Sequence, residues 1–274
     1  MRLRIHHSTE YHYQTPVLRI VQALRLWPAP VAGQRVFDWQ VSIDGQRLTP
    51  RSRDGFGNAE ATHSTDGPLI KRCIAVAGQV LTEDRHGVIS GTQEPLPPLF
   101  YCTPSVLTQP DAALCDLAET CHRHRGLELA HQLMRAVREK VAFESGQTQA
   151  ETTAAEALAR GRGVCQDHAQ VMIACARWLG RPARYVSGYL WLDGESEAPA
   201  AHAWCEIYIE DLGWVGFDPA NRICPTEAYV RVAVGRDARD AAPIRGLQQG
   251  GEAESLAINV RVAGLSEAAR QAQQ

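Results

Sequence analysis

A cysteine at 165, a histidine at 202 and an aspartate at 218 are the residue types that together make an acyl-transfer nucleophile. A thiol attacks a carbonyl carbon as thiolate, an imidazole removes its proton, and a third group fixes the tautomer of that imidazole. The spacing is compact, with His202 37 residues after Cys165 (202 − 165) and Asp218 16 after His202 (218 − 202). The order cysteine, histidine, acid is that of thiol proteases, but the wide separations of the papain group do not fit.

The words around these residues supply positions. Gly161-Arg162-Gly163-Val164-Cys165 precedes an apolar run from Ala169 to Leu179 that is interrupted only by Gln170 and Arg177. This predicts a buried helix from Cys165 to Leu179, closed by Gly180 and Pro182. A thiol at a helix N-terminus meets unpaired amides and the positive end of the macrodipole, which favour thiolate and can hold a developing oxyanion. Downstream, Ala201 to Ile209 and Gly213 to Phe217 read as strands. A hairpin turn of about four residues would return Phe217 and Asp218 beside His202 and Ala203.

Other residues near the trio are candidates for the substrate cleft: Gly163, where backbone could approach closely, Gln166, Asp167 and Trp204. Asp167 also suits the first turn of a helix, where a carboxylate favours the dipole, and can bond the loop framing the site. Trp204 either walls the cleft or fills the core, and His168 reads as structural. The acidic turn Asp193, Glu195, Glu197 is a solvated loop or a border of the substrate.

The elements that must carry this chemistry fall into two units, 1–90 and 91–274. From Leu3 to about Val80, short alternating runs such as Thr9 to Tyr13 and Val36 to Ile43 are bounded by turn words such as Asp44-Gly45 and Asp54-Gly55-Phe56-Gly57-Asn58. They predict an antiparallel, sandwich-like β-domain. Thr92 to Pro110, with prolines at 95, 97, 98, 104 and 110, reads as a linker. Helices follow over Asp111–His122, over Leu127–Phe143 with Leu129, Leu133, Val137 and Val141 on one face, and from a Thr152 or Thr153 cap to Arg160. Beyond the expected hairpin, strands at Tyr229–Val234 and Leu256–Val262 bracket a loop from Arg236 to Gly251. The whole is expected to be an α+β fold.

Four ordered blocks of this sequence resemble the transglutaminase-like superfamily. They are Gly163-Val164-Cys165-Gln166-Asp167-His168-Ala169, Arg181-Pro182-Ala183-Arg184-Tyr185-Val186-Ser187-Gly188-Tyr189, Ala201-His202-Ala203-Trp204, and Gly213-Trp214-Val215-Gly216-Phe217-Asp218-Pro219-Ala220-Asn221. His7-x-Thr9-x-Tyr11-x-Tyr13, Leu24-Arg25-Leu26-x-Pro28 and Asp54-x-Phe56-Gly57-Asn58 resemble the N-terminal β-domain of the bacterial members, and Gly235 to Gly246 resembles their C-terminal segment. The resemblance implies a papain-like core with Cys165 as nucleophile, His202 as base and Asp218 as the orienting acid. It departs from the family pattern at Gln170 and Ala220, where many relatives carry His and Thr; both lie outside the trio. No counterpart of the calcium loops of animal relatives is visible, so no cofactor or metal is expected.

Composition narrows the function classes. The 274 residues are 45% hydrophobic and 22% charged, as in a folded domain, and a net charge of −3 without a basic cluster argues against nucleic acid. No window approaches the ~18 consecutive apolar residues of a membrane span, and the N-terminal words lack a secretory apolar region. A cytoplasmic chain with reduced thiols is therefore expected. Cys115, Cys121, His122 and His124 form a rival cluster, but without any Cys-x-x-Cys pair they make a poor zinc site. The expected activity is cleavage of a peptide, isopeptide or side-chain amide in a peptide or protein substrate through a thioester. Transfer to an amine, as in a protein-glutamine transglutaminase, and a non-catalytic peptide-binding module are the alternatives.

Overall fold

Leu3, Ile5, His7 and Thr9 are buried while the residues between them are more open, the period-two signature of a strand with one packed face. In the computed structural model, which describes residues 1–192, 201–251 and 254–264, that strand is very long. The N-terminal strands are β1 (Arg2–Leu24), β2 (Gln34–Ile43), β3 (Gln46–Leu48), β4 (Ser52–Arg53) and β5 (Ala59–Thr82). Then come α1 (Ala112–Glu119), α2 (Gly126–Lys140), β6 (Ala142–Phe143), α3 (Ala154–Arg160), β7 (Arg162–Gly163) and α4 (Cys165–Trp178). The chain continues through β8 (Ala183–Leu190), β9 (Ala201–Ile209), β10 (Gly213–Phe217), β11 (Tyr229–Gly235), β12 (Ile244–Gly250) and β13 (Glu254–Gly264). This is the expected α+β architecture, with large antiparallel sheets.

The first sheet runs β12-β1-β5-β2-β3, with β13 also on β1 and β4 on β5. A strand as long as β1 has two long edges to satisfy. β5 pairs along one from Arg2↔Leu81 to Leu24↔Ala61, and the other is shared by β13 (Leu3↔Gly264 to Tyr13↔Glu254) and β12 (Val17↔Gly250 to Leu24↔Ile244). The hydrogen bonds thus join Ile244–Gly250 and Glu254–Gly264 to the N-terminal sheet, whereas a division at residue 90 groups them with the helices. β12 occupies part of the segment expected to be loop; Ile-Arg-Gly-Leu-Gln-Gln-Gly has neither alternation nor β-branched content beyond its first residue, so it does not read as a strand.

The second sheet, β10-β9-β8-β11, is antiparallel, and α4 packs against β9 and β8. Val171, Met172, Ile173, Ala174, Cys175 and Ala176 of α4 are fully buried, with Leu129, Leu133, Val137 and Val141 in the same core. Residues 92–110 are more than a linker. Two short 3₁₀ turns, Pro98–Cys102 and Val106–Thr108, bury Tyr101 and Leu107 completely. Arg177 of α4 binds this segment, donating to the Tyr101 carbonyl at 2.8 Å and the Thr108 hydroxyl at 2.6 Å, and reaches the Arg236 carbonyl at 2.7 Å. Prolines here hold fixed turns against the core instead of slack chain.

Among the described residues no helix is long and apolar enough to cross a membrane, and no group of three His, Cys, Asp or Glu side chains is placed to hold a metal ion. The acidic turn at Asp193, Glu195 and Glu197 lies outside the described residues.

Candidate active site

α3 begins at a Thr153–Glu156 capping box and stops at Gly161, whose φ of 65° closes the helix in the left-handed region. The chain then turns into α4, and the turn is locked by Asp167. Its Oδ2 accepts from the Val164 amide and the Thr148 hydroxyl, each at 2.7 Å. A Cβ on Gly163 would lie 2.5 Å from the same oxygen, so the bare backbone at 163 makes room for Asp167. Gly163 and Asp167 are both buried and shape the turn; neither lines the cleft described below. His168 is structural, its ring nitrogens each 2.8 Å from the carbonyls of Val164 and Val141.

Cys165, half-buried, is the first residue of α4, so its amide has no acceptor inside the helix. The imidazole of His202, on β9, lies close enough to the thiol for Cys165 to raise the pKa of the ring. The other side of the ring is taken by Asp218, with Nε2 to Oδ2 at 2.7 Å, which leaves Nδ1 for the sulfur. The β9–β10 turn spans only 210–212, and Phe217 pairs with Cys205. One step further along this register sets Asp218 opposite Trp204, two residues from the expected partner His202. A shift of two keeps every side chain on its own face. The carboxylate therefore meets the imidazole diagonally.

Asp218 is fully buried and saturated with donors. Oδ2 takes His202, the Tyr229 hydroxyl at 2.7 Å and the Asn221 amide at 2.7 Å; Oδ1 takes the backbone amides of Ala220 at 3.0 Å and Asn221 at 3.2 Å. Burial raises the pKa of this carboxyl, but the hydrogen bond and charge of His202, with Tyr229 and Asn221, outweigh it and hold it below the usual range. For His202 burial pulls downward, and is outweighed by the bonds to Asp218 and Cys165 and by their charges, which lift it to about 10. The pair thus favours an imidazolium beside the sulfur at neutral pH. Trp204, 1% exposed, lies under the imidazole with ring planes 24° apart and centroids at 6.3 Å. It supports the ring from the core side.

Asn221 stands three residues after Asp218, within reach of an Asp-Pro turn, so its spacing carried a signal. Tyr229 is on β11, and nothing in its local sequence ties it to Asp218. Tyr185 on β8 is also near: burial first, then the charges of Cys165 and Asp167, raise its pKa well above normal.

A cleft of about 570 Å³ is lined by Gln166 and Ala201, the chain neighbours of Cys165 and His202, and by Tyr185. Gln166 is the one residue among the four cleft candidates that lines it, and its amide is anchored on the Ala150 carbonyl at 3.1 Å.

The model of the transglutaminase-like superfamily matches residues 116–219, and that of the bacterial transglutaminase-like N-terminal region matches residues 3–81. An uncharacterized protein of Mycobacterium leprae is 30% identical over 284 residues, covering 97% of this chain and 99% of that one. One of Mycobacterium tuberculosis is 28% identical, covering 90% and 87%. Among solved structures, a candidate cysteine protease from Cytophaga hutchinsonii superimposes with a TM-score of 0.75 at 22% identity, covering 97% of this chain and 91% of that one. It has the same fold.

Proposed function

For a chain that belongs to the transglutaminase-like superfamily, we propose a cysteine peptidase or amidase in which Cys165, His202 and Asp218 act together. The observation that carries this reading is the continuous chain of contacts from the Cys165 thiol through His202 to a carboxylate at 2.7 Å. His202 accepts the thiol proton, and the sulfur attacks the amide carbonyl. The oxyanion forms beside the free Cys165 amide at the N-terminus of α4. As the C–N bond breaks, the imidazolium returns the proton to the departing amine, leaving a thioester. Water, deprotonated by the same imidazole, attacks the thioester and releases acid and thiol. Asp218 keeps the ring in the tautomer that points Nδ1 at sulfur and stabilises its charged form.

Water, in vast excess over any amine, is the acceptor we assign. We also place the protein in the cytoplasm, since all eight cysteines are free, as expected where thiols are kept reduced.

The test is alkylation by iodoacetamide across pH, mapped by mass spectrometry. Cys165 should label fastest of the thiols at pH 6, and His202→Ala should slow it by an order of magnitude or so. If Cys165 reacts no faster than half-buried Cys73 and the variant behaves the same, the hydrolase reading fails and a peptide-binding module is left.

A further inference from the structure

The cleft beside Cys165 is bounded on its far side by the N-terminal sheet. His7, Thr9 and Tyr11 alternate along β1 and present one face to it. The β1–β13 register pairs Thr9 with Ile258 and Tyr11 with Leu256, so the same face continues onto β13. Ile258 and Leu256 are 56% and 50% exposed, which makes this wall an apolar stripe open to whatever enters.

The rim carries charge. Arg239 and Arg245 line the cleft and are exposed; among the described residues neither has an acidic partner, and Glu151 is the one carboxylate in the lining. Arg239 sits on a rigid loop. Asp237 Oδ1 accepts the amides of Arg239 and Asp240 at 2.9 and 3.1 Å, the Ser187 hydroxyl donates to the Ala241 carbonyl at 2.7 Å, and Arg236 is held by Asp240 at 2.8 Å. Arg245 is fixed by its pairing with Ala23. A pinned loop and a paired strand thus hold two guanidiniums, without an acidic partner among the described residues, on the cleft that Gln166 and Ala201 also line. Guanidinium forks bind carboxylates bidentately.

We propose that this cleft selects an acidic peptide: an extended segment with an apolar side chain against Leu256 and Ile258 and Asp or Glu side chains on Arg239 and Arg245. Two cations on separate elements call for more than one carboxylate, which acidic side chains supply and a single chain terminus does not. The N-terminal sheet and the returning strand β13 thereby become a selectivity wall of the site. The inference rests on Cys165 being the attacking group, since the cleft matters as the approach to that thiol.

The test separates binding from turnover. Calorimetry on the Cys165→Ala protein would use C-terminally amidated octapeptides built on one Leu-Gln core and flanked by Glu, by Gln or by Lys, with the Gln-flanked peptide also supplied with a free C-terminus. The Glu-flanked peptide should bind about tenfold tighter than the Gln-flanked one, the size two partly exposed ion pairs can supply. That advantage should shrink in high salt and disappear in Arg239→Gln/Arg245→Gln. Both positions are exposed, and an unchanged melting temperature verifies the fold of the double variant. Equal binding of all amidated peptides, a Glu preference that survives the double variant, or a gain from the free C-terminus equal to that from Glu would overturn the proposal. Turnover of the same peptides by the wild-type protein tests the hydrolase reading separately: selective binding without cleavage sinks that reading and leaves the cleft assignment standing, whereas cleavage without selectivity does the reverse.

Discussion

Replacing Glu206 by Gln tests the support beneath the site. Glu206 lies four residues beyond His202 on β9, fully buried between Arg184 of β8, at 2.6 Å, and Arg231 of β11, at 2.7 Å. Arg184 also holds Glu94, at 2.6 Å, so the network fastens the proline-rich segment to the three strands that carry Tyr185, His202 and Tyr229. Burial raises the Glu206 pKa, but the charges of Arg231 and Arg184 and their hydrogen bonds prevail and bring it from 4.5 to about 2. A folded pKa below the unfolded one stabilises the fold above about pH 4.5, and that contribution is lost as pH falls towards 2. At 1.36 kcal/mol per pKa unit the drop is worth about 3 kcal/mol at pH 7 and about half of that at pH 3. Urea unfolding followed by tryptophan fluorescence is well placed to read it, because Arg184 lies 4.0 Å over the Trp214 ring. Glu206→Gln should lose about 3 kcal/mol at pH 7, and the gap to wild type should narrow by about half at pH 3. A gap below about 1 kcal/mol at pH 7, or one that stays constant with pH, would refute the reasoning.

Three further outcomes follow from the site. Tyr229→Phe removes one of three donors on Asp218 Oδ2, so kcat/KM should fall about tenfold and the acid limb of its pH profile should move up, because Tyr229 helps keep that carboxyl ionised. Steady-state kinetics from pH 4 to 8 reads both. Gly163→Ala drives a methyl to within 2.5 Å of Asp167 Oδ2 and should cost about 2 kcal/mol by circular-dichroism melting, with slower Cys165 alkylation as the turn shifts. The folded His202 pKa, about 10 against 6.5, means that its stabilisation is complete below about pH 6.5 and vanishes as pH rises through 10. Urea midpoints of wild type and His202→Gln should accordingly differ at pH 6 and converge at pH 10.

What the sequence disclosed follows from the range of the interactions involved. Helix α4 was legible end to end because its signals are local: glycines ahead of it, an apolar run and Gly180 behind. The trio was legible because two adjacent strands and one helix start sit within a short stretch, where a hairpin fixes geometry almost by itself. The register lies two residues from the expected one because the turn at 210–212 is centred on Asp211, one residue later than a pairing of Asp218 with His202 requires, and the strand period of two kept the consequence small. Tyr229 stayed hidden because its bond to Asp218 depends on β11 pairing with β8, a contact between elements that no local word encodes. Strand β12 stayed hidden for the same reason: a glycine- and glutamine-rich segment becomes a strand only because β1 has an edge left to pair.

The two halves of the cleft therefore depend on contacts of very different range. The groups proposed to activate the thiol lie between Cys165 and Tyr229, held by a hairpin, a helix N-terminus and one neighbouring strand, so their geometry needs few distant contacts. The opposing wall needs residues 7–11 and 256–258 to meet, from opposite ends of the chain. Pairings of such long sequence separation form late and tolerate change in their outward side chains, provided the backbone ladder holds. On the proposed reading, reactivity is anchored locally and selectivity globally. Substitutions at Leu256, Ile258, Arg239 or Arg245 can alter what enters without disturbing the Cys165–His202–Asp218 alignment, whereas the buried ring of donors around Asp218 leaves no such freedom.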